Sequence, residues 1–348
     1  MAQKQGLGGR RPRLSPAMAD VRRAVREWAV EHAQAPTRYL VALSGGGDSL
    51  ALAWALSHEA PALGFSVGAV VVDHQLQEGS GERAQHAAEV ASSWGLGPVI
   101  IKEVFVGVAG GPEEAARTVR YQAFFEAMKE TGAGGILLAH TRDDQAETVL
   151  LGLTRGSGPS ALKGMPEVEG FSHRPLLSLA RSTLRQALID AGVSWWDDPH
   201  NTDDRFTRSR VRQRVMPVLE DDLGPGVAES LARTAALFRR DSEALDGFAQ
   251  SVFDEHVDGS TPQVCSIEVT HLVEQNPAVA SRVVRSMVIS VGGGAPTFAQ
   301  MQQVEGLLTR WKGQSAIDLS GASLERRDGL LVARSSEGKK PRGIRRGL

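Results

Sequence analysis

Short apolar runs alternate with longer stretches of helical periodicity along the first half of the chain. The apolar runs have the length of buried strands, and they cover residues 39–43, 66–72, 98–104 and 136–139. The helical stretches place apolar residues three or four positions apart, and they cover residues 18–32, 50–56, 82–94, 113–130 and 143–153. Strands and helices that alternate with short connections predict an α/β fold with a doubly wound parallel sheet.

Polar residues gather where the predicted strands end. The segment 44–49 follows the first strand, Asp73 and His74 follow the second, and His140 and Asp144 follow the fourth. In a parallel sheet these carboxyl ends meet at one edge, which is where ligands bind. The pattern therefore predicts one site built from three separate stretches of sequence.

The pattern changes near residues 220–226, where we place a domain boundary. A helix is predicted before it, over 182–190, and three helices after it, over 226–256, 277–289 and 297–311. Thr297 and Gln300 form a capping-box pair at the start of the last of these. The stretches 315–318 and 330–334 suggest a short β ribbon. We expect a disordered basic arm over 1–16, a catalytic domain over 17–222, a second, mainly helical domain over 226–334, and a basic tail over 335–348.

Composition narrows the class of protein. The 348 residues carry a formal net charge of −2, with 41% hydrophobic and 23% charged residues, as in ordinary globular proteins. No apolar run approaches a membrane span, and the basic N-terminus lacks the apolar segment of a secretory signal. The single cysteine, Cys265, excludes an internal disulfide, a cysteine-rich zinc site and a cysteine-held iron–sulfur cluster. We expect a cytoplasmic protein with no membrane partner.

The loop after the first strand reads Ser44-Gly45-Gly46-Gly47-Asp48-Ser49. Its glycines let peptide N–H groups approach an anion, and the next helix directs its free N–H groups at the same place. It lacks the Lys-Ser/Thr pair of a Walker A motif, and Leu50 stands where a dinucleotide fingerprint needs glycine. The loop predicts a nucleotide phosphate site in which Asp48 holds Mg²⁺. The alternative is a glycine-rich turn that only joins a strand to a helix.

Further motifs follow the loop in a fixed order: VVDHQLQEGS, EEAARTVRYQAF, LLAHTRDDQAETVLLGLTRGSGPSALKGM, RPLL and WWDDPHNTDDRFTRSRVRQRVMP. The loop alone resembles that of the ATP pyrophosphatases, and the whole series resembles the tRNA(Ile)-lysidine synthetase family. The resemblance is strong over roughly residues 38–220 and loose beyond them. Thr141 and Ser209 depart from the family pattern, which usually has histidine and asparagine there. The fold that the resemblance implies is the adenine nucleotide alpha hydrolase-like sheet.

The resemblance also implies a reaction. ATP adenylates the wobble cytosine of the isoleucine tRNA with a CAU anticodon, and free L-lysine then displaces AMP to form lysidine, which changes codon reading from AUG to AUA. The expected partners are ATP, Mg²⁺, L-lysine and this tRNA, and a homodimer is left open. Two alternatives remain, namely another tRNA-modifying enzyme with the same loop and a non-catalytic relative that binds nucleotide or tRNA.

Within this resemblance we assign ATP binding to the loop and to residues near it. The set is Ser44, Gly45, Gly46, Gly47, Asp48, Ser49, Asp73, His74, Arg117 and Arg120. Asp73 could instead cap the turn after its strand. Arg117 and Arg120 could instead form ordinary surface pairs with Glu113 or Glu114.

Asp144 and Glu147 lie three residues apart on a predicted helix, so their carboxylates share a face. Two adjacent carboxylates suit the ammonium group of lysine, and one could act as the base that frees the amine. A second Mg²⁺ or an acid-rich first helical turn are the alternatives. We predict Asp48, Asp144 and His140 as the catalytic residues. Zinc at His140 is disfavoured, because no third nitrogen or sulfur ligand is spaced nearby.

Five arginines crowd ten residues of the last motif: Arg205, Arg208, Arg210, Arg212 and Arg214. Guanidinium groups match phosphate oxygens, so we assign this cluster to the tRNA backbone. The alternative is a solvated, charged helix face.

Overall fold

The computed structural model describes residues 14–35, 37–75, 79–105, 112–156, 159–197, 203–261 and 263–336. Most of the predicted basic arm and basic tail lie outside the described residues. The chain divides into two compact units between Ala236 and Leu237.

The first unit holds a six-stranded sheet in the order β3-β2-β1-β4-β6-β5. The strands are β1 Arg38–Ala42, β2 Ser66–Asp73, β3 Val99–Glu103, β4 Gly135–Leu137, β5 Val168–Glu169 and β6 Ser172–His173. All neighbours pair in parallel except β5, which runs antiparallel to β6. This confirms the parallel, doubly wound sheet predicted from the alternating pattern. The two short strands β5 and β6 were not predicted, because a strand of two residues is too short to show the alternation of apolar and polar positions.

The helices predicted over 18–32, 50–56, 82–94, 113–130, 143–153 and 182–190 are confirmed, whereas the short helical segments over 159–162 and 207–222 were not predicted. The helices of the first unit are α1 Pro16–His32, α2 Gly47–Leu63, α3 Ser80–Ser93, α4 Pro112–Thr131, α5 Arg142–Thr154, α6 Pro159–Leu162, α7 Arg181–Asp190, α8 Thr207–Arg210, a π-helical turn Val211–Val215, and α9 Met216–Asp222. Helix α10, Val227–His256, crosses the division between the units.

Apolar side chains bury both faces of the sheet. One cluster packs α1, α2, α3 and α7 against β1 and β2 around Trp28, Leu52 and Val71. A second cluster packs α4 against the other face around Leu40, Phe124 and Ile136. Because helices cover both faces, polar groups that act on a ligand are left at the carboxyl edge of the strands.

The strand order places a switch point between β1 and β4. From β1 the chain moves outward to β2 and β3, and it then returns to add β4 on the opposite side of β1. In doubly wound sheets the crevice at such a point is the usual ligand site. The segments that leave β1 and β4 here are the glycine loop and the start of α5.

The second unit contains an antiparallel sheet in the order β7-β8-β11-β10-β9. Its strands are β7 Asp258–Thr261, β8 Val264–Glu268, β9 Ile317–Leu319, β10 Ala322–Arg327 and β11 Leu330–Ser335. Its further helices are α11 Val269–Val273, α12 Pro277–Ser290 and α13 Phe298–Thr309. The two stretches predicted to form a β ribbon correspond to β9 and β11, which lie on either side of β10 and do not pair with each other. The sequence pattern did not reveal β10 or the β7–β8 hairpin. The Thr297–Gln300 capping box is confirmed.

Within the described ranges, the helices are too short or too polar to cross a bilayer.

Candidate active site

The glycine loop leaves β1 and enters α2 without a side-chain cap. Gly45 has φ of 79°, a left-handed conformation that glycine adopts without strain, and Gly46 is the uncapped residue before α2. Ser44 Oγ lies 3.1 Å from Ser49 Oγ, so the two hydroxyls brace the ends of the loop. The first N–H groups of α2 are left for an anion, as the phosphate-site prediction requires.

Two tryptophans lie against this loop. The backbone N–H of Trp196 donates to the carbonyl of Gly45 at 3.3 Å. A Cβ added to Gly47 would lie 3.3 Å from Cδ1 of Trp195, so only glycine fits there without displacing the indole. Arg83 stacks on the Trp196 ring at 4.6 Å from its centroid. The loop is thus supported by a segment about 150 residues away in sequence, which the motif itself did not indicate.

Helix α5 begins with a capping box made by Thr141 and Asp144. Asp144 Oδ2 accepts from the backbone N–H of Thr141 at 2.8 Å and from its hydroxyl at 2.7 Å. Thr141, one of the two departures from the family pattern, therefore orients a predicted catalytic carboxylate. Asp144 and Glu147 are both buried and lie on one face of α5, as their spacing predicted.

One arginine joins the three predicted acidic residues. Arg181 Nε donates to Asp48 Oδ2 at 3.1 Å, and its Nη2 donates to Asp144 Oδ1 at 2.9 Å. Its Nη1 lies 3.6 Å from Glu147 Oε1. Asp48 from the loop and the acidic pair from α5 therefore form one site, although no role for Arg181 was predicted.

Two arginines of the predicted tRNA cluster complete this network. Arg212 Nε donates to Glu147 Oε1 at 2.7 Å, and its Nη2 lies 2.9 Å from Asp144 Oδ1 and from Glu147 Oε2. Arg208 Nε lies 3.1 Å from Glu147 Oε2, and its Nη2 donates to the Thr148 hydroxyl at 2.5 Å. We call the carboxylates of Asp48, Asp144 and Glu147 with the guanidinium groups of Arg181, Arg208 and Arg212 the charge network.

The pKa values of Asp48 and Asp144 are shifted in opposite directions. Burial raises the pKa of Asp48 above its ordinary value, and Arg181 only partly offsets that effect. Asp144 is also buried, but Arg181 and Arg212 together hold its pKa well below the ordinary range. Burial would lower the pKa of Arg181, yet Asp144, Asp48 and Glu147 raise it. Arg181 therefore stays charged at any working pH.

His140 lies at the start of the same segment and is half-buried. Burial lowers its pKa to about 4, the guanidinium groups of Arg174 and Arg208 add to that effect, and Asp144 opposes it. Its imidazole is therefore neutral near pH 7. Within the described residues, His140 Nδ1 is buried and has no hydrogen-bond partner, so it can exchange a hydrogen bond with a ligand.

Residues at the end of β2 form a second polar group. Asp73 accepts from the backbone N–H of Gln75 at 2.9 Å, which is the turn-capping role that the sequence left as an alternative. Arg120 Nε donates to His74 Nε2 at 3.4 Å. Burial and Arg120 lower the pKa of His74 to about 4, although Asp73 opposes them. Arg117 lies over the Tyr121 ring and donates to its hydroxyl.

The remaining arginines of the predicted tRNA cluster are exposed and pair locally. Arg205 pairs with Asp203, and Arg214 pairs with Asp204. Arg210 Nη1 donates to the backbone carbonyls of Asp204 and Arg205. The cluster therefore has an inner part in the charge network and an outer part on the surface, and its tRNA role stays a prediction.

Arg181 and the two tryptophans are the site features that the sequence reasoning missed. Arg181 is the first residue of α7, where the helix dipole disfavours a cation. A local disagreement of this kind often marks a functional position, but the predicted helix began at residue 182 and so left Arg181 outside it. No comparable pattern distinguished Trp195 from a core residue.

Asp48 is the residue that best fits a metal ion. In the parts of the chain that the structure describes, its Oδ1 is buried without a hydrogen-bond partner, while Oδ2 pairs with Arg181. A free, buried carboxylate oxygen beside a phosphate loop suits Mg²⁺. Among the described residues, the group of three ligand atoms close enough to share an ion is Glu31, His32 and Glu167, which includes none of the predicted site residues.

Family models match both units of the chain. A model described as the PP-loop domain matches residues 18–219, and one described as the TilS substrate binding domain matches residues 268–332. The first match contains the glycine loop and the whole charge network.

Full-length relatives share a single name. The tRNA(Ile)-lysidine synthase of Leifsonia xyli is 50% identical over 293 residues, which are 84% of this chain and 88% of the relative. The tRNA(Ile)-lysidine synthase of Thermobifida fusca is 45% identical over 320 residues, which are 91% of this chain and 97% of the relative. That of Mycobacterium tuberculosis is 43% identical over 91% of this chain and 97% of its own length.

A solved structure shares the fold. The U34-tRNA thiolase NcsA from Methanococcus maripaludis aligns with a TM-score of 0.55 over 64% of this chain and 80% of its own, at 16% identity. This likeness shows the fold of the sheet and its helices and carries no information about the ligand or the reaction.

Proposed function

The chain belongs to the tRNA(Ile)-lysidine synthase family, and we propose that it joins free L-lysine to the wobble cytidine of an isoleucine tRNA with a CAU anticodon. ATP first transfers its AMP group to the carbonyl oxygen of the cytosine and releases pyrophosphate. The ε-amino group of lysine then displaces AMP and leaves lysidine. The modified tRNA reads AUA in place of AUG.

The observation that supports this function best is the charge network. The reaction needs a phosphate site and an amine site within reach of one cytosine carbon. The loop carboxylate Asp48 and the pair Asp144 and Glu147 are held by one guanidinium group, that of Arg181. Two half-reactions could therefore share one cytosine without moving it.

For the first half-reaction, we assign the pyrophosphate to the loop 44–49 and to the first turn of α2. The free Oδ1 of Asp48 would hold Mg²⁺, which supplies charge neutralisation for the leaving pyrophosphate. We assign His74 and Arg120, which are hydrogen-bonded to each other at the end of β2, to the nucleoside or its α-phosphate. Arg117 remains a candidate for the same phosphate.

For the second half-reaction, we assign the lysine ammonium to Asp144 and Glu147. Both are buried, so a hydrogen bond from an ammonium group to either is charge-assisted and shielded from water. Glu147 would accept the proton that the amine loses before it attacks. His140, neutral and with a free buried nitrogen, lies beside them and can orient the amine or the cytosine.

The second unit would contribute to tRNA selection, since residues 268–332 match the substrate binding domain of this family. The exposed arginines Arg205, Arg210 and Arg214 would meet the phosphate backbone. A homodimer and a cytoplasmic location remain predictions, which sedimentation and cell fractionation would test.

The direct test is mass analysis of tRNA after incubation with the protein, ATP, Mg²⁺ and isotope-labelled lysine. The expected result is one lysine per CAU-anticodon isoleucine tRNA at the wobble position, with AMP and pyrophosphate released. The methionine tRNA, which carries the same anticodon, is the matched control and should stay unmodified. Pyrophosphate release without lysine incorporation would contradict the proposed function.

A further inference from the structure

Arg181 is held in its place by backbone contacts as well as by its side chain. Its N–H donates to Asp143 Oδ2 at 2.8 Å, and the N–H of Arg142 donates to the carbonyl of Leu179 at 2.8 Å. These two bonds tie the start of α7 to the start of α5. These bonds between the two helix starts therefore hold the guanidinium group against the acidic residues.

The guanidinium group occupies the space that a shared cation would take. Its Nε reaches the loop carboxylate, and its two terminal nitrogens reach Asp144 and Glu147. Only one oxygen of Asp48, Oδ2, is used in this way. The other oxygen, Oδ1, is left for Mg²⁺, whereas the acidic pair on α5 is enclosed by positive charge.

The balance of charge around that pair disfavours a divalent ion. Within the charge network, the three negative charges of Asp48, Asp144 and Glu147 are already balanced by the three positive charges of Arg181, Arg208 and Arg212. A divalent ion would therefore leave an excess of two positive charges, whereas an ammonium group would leave an excess of one. Coulomb repulsion scales with the product of the charges, so Mg²⁺ meets twice the repulsion of an ammonium group at the same distance. An ammonium group also needs only single hydrogen bonds to carboxylate oxygens, whereas Mg²⁺ needs a near-octahedral set of oxygen ligands.

We propose that Arg181 is a specificity-determining residue that keeps divalent cations off Asp144 and Glu147 and so reserves the pair for the amine of lysine. The proposal rests on the proposed function for the identity of the amine. Mg²⁺ is thereby confined to the Asp48 side of the site. A site for two metal ions, the alternative that the sequence left open, is the arrangement that Arg181 prevents.

Binding of Mn²⁺ to the ligand-free protein, counted by electron paramagnetic resonance, tests this without any turnover. Arg181→Gln removes the charge, and Arg181→Lys keeps it. Arg185→Gln is the matched control, because Arg185 lies one turn further along α7 and pairs with Asp197 outside the network. We expect Arg181→Gln to bind one more Mn²⁺ per chain than the wild type, and the other two variants to match the wild type.

Equal Mn²⁺ counts in all four proteins would overturn the proposal. If Arg181→Gln does not fold, as judged by its melting transition, Arg181→Met removes the charge while keeping an unbranched apolar stem, and the same extra ion is required of it. Adding Asp144→Asn to either charge-free variant should abolish the extra ion, which shows that the new site uses the acidic pair.

Lysine dependence gives the functional readout. In Arg181→Gln, the lysine KM should rise about threefold or more when free Mg²⁺ is raised from about 1 to about 10 mM, because the ion now competes by mass action. The wild type and Arg181→Lys should show a lysine KM independent of Mg²⁺ over that range. A flat response in Arg181→Gln contradicts the proposal.

The two experiments separate the proposal from the proposed function. An extra Mn²⁺ in Arg181→Gln, with no lysine incorporated by the wild type, leaves cation exclusion standing and removes the lysine assignment. If the wild type forms lysidine but Arg181→Gln binds no more Mn²⁺ than the wild type, the cation-exclusion proposal is wrong and the lysine assignment is supported.

Discussion

Two groups of polar side chains are buried in the first unit, and they differ in how completely they are satisfied. Around Trp28, the indole N–H donates to His173 Nδ1 at 3.3 Å, and the rings of Tyr39 and His173 meet the indole edge to face at 5.3 Å each. In the charge network, by contrast, Asp48 Oδ1 is buried without a hydrogen-bond partner among the described residues, and so is Nδ1 of the neighbouring His140. A satisfied polar group specifies a core, whereas buried atoms left without partners are ready for a ligand.

From this difference we expect mutations in one group to reduce activity and mutations in the other group to reduce stability. Removal of the Asp48 charge should have a small cost to folding and a large cost to catalysis. Residues around Trp28 should behave in the opposite way. Each of the following experiments tests whether the charge network serves activity and the group around Trp28 serves stability.

The largest effect is expected from Asp48→Asn. The variant keeps the shape but loses the charge that would hold Mg²⁺, and pyrophosphate release should fall by about a thousandfold or more. Because burial already disfavours the Asp48 carboxylate, the free energy of unfolding should change by less than about 1 kcal/mol. Pyrophosphate release and thermal melting are measured together, with the surface variant Asp20→Asn as control. Wild-type turnover in Asp48→Asn would remove this residue from the mechanism.

The next effect separates the amine from the nucleotide. Asp144→Ala or Glu147→Ala removes a charge-assisted hydrogen bond of about 1.5–3 kcal/mol, so the lysine requirement should rise about ten- to a hundredfold. Formation of adenylated tRNA without lysine should survive much better. The measurement is adenylation first and lysine titration second, with Asp144→Asn and Glu147→Gln as variants that keep the packing.

Loss of adenylation at every lysine concentration would mean that the acidic pair holds a metal ion. That result would also contradict the role of Arg181. Glu229→Gln serves as the control carboxylate, because Glu229 is exposed and pairs with Arg142 outside the network.

A smaller effect, on stability, is expected at His173. Burial lowers its pKa to about 4 from an ordinary 6.5, and His32 and Arg174 add to that effect. The unfolded chain therefore binds a proton that the folded protein excludes, and stability falls as the pH drops from about 6.5 towards about 4. At pH about 5 the loss from this one residue is about 2 kcal/mol.

Chemical denaturation at pH about 7.5 and about 5 measures this loss. His173→Gln should be less stable than the wild type at the higher pH, yet its stability should depend less on pH by about 2 kcal/mol. Equal pH dependence in the two proteins would show that His173 is not the buried neutral group described here. Turnover per folded molecule should be unchanged.

The smallest effect, on tRNA affinity, is expected from the arginines that lie outside the charge network. Arg210→Gln and Arg214→Gln remove exposed charges, and each should reduce the slope of log tRNA affinity against log salt by about 1. Neither should alter the lysine requirement, whereas Arg212→Gln should alter it. Arg23→Gln, on the surface of α1, is the control. Unchanged salt slopes would support the solvated helix face instead of tRNA contact.

The sequence predicted the parallel sheet, its helices and the position of Asp144 and Glu147 on one face of α5, because these follow from local periodicity. It also predicted that the loop and α5 meet, because carboxyl ends of neighbouring parallel strands share an edge. It did not predict Arg181, since the contact to Asp48 joins residues 133 positions apart. It also treated the five arginines as one cluster, because spacing along a sequence does not show that a π-helical turn directs Arg212 inward and leaves Arg214 outside.

The two tryptophans against the glycine loop give the protein an optical reporter of its own nucleotide site. Trp195 packs on Gly47, and Trp196 is hydrogen-bonded to Gly45 and stacked under Arg83. Indole emission is sensitive to nearby charge and to water, so occupancy of the loop by a polyphosphate should change the fluorescence of these two residues before any chemistry occurs. Nucleotide binding can thus be followed in the unlabelled enzyme, separately from the slower events at the lysine site.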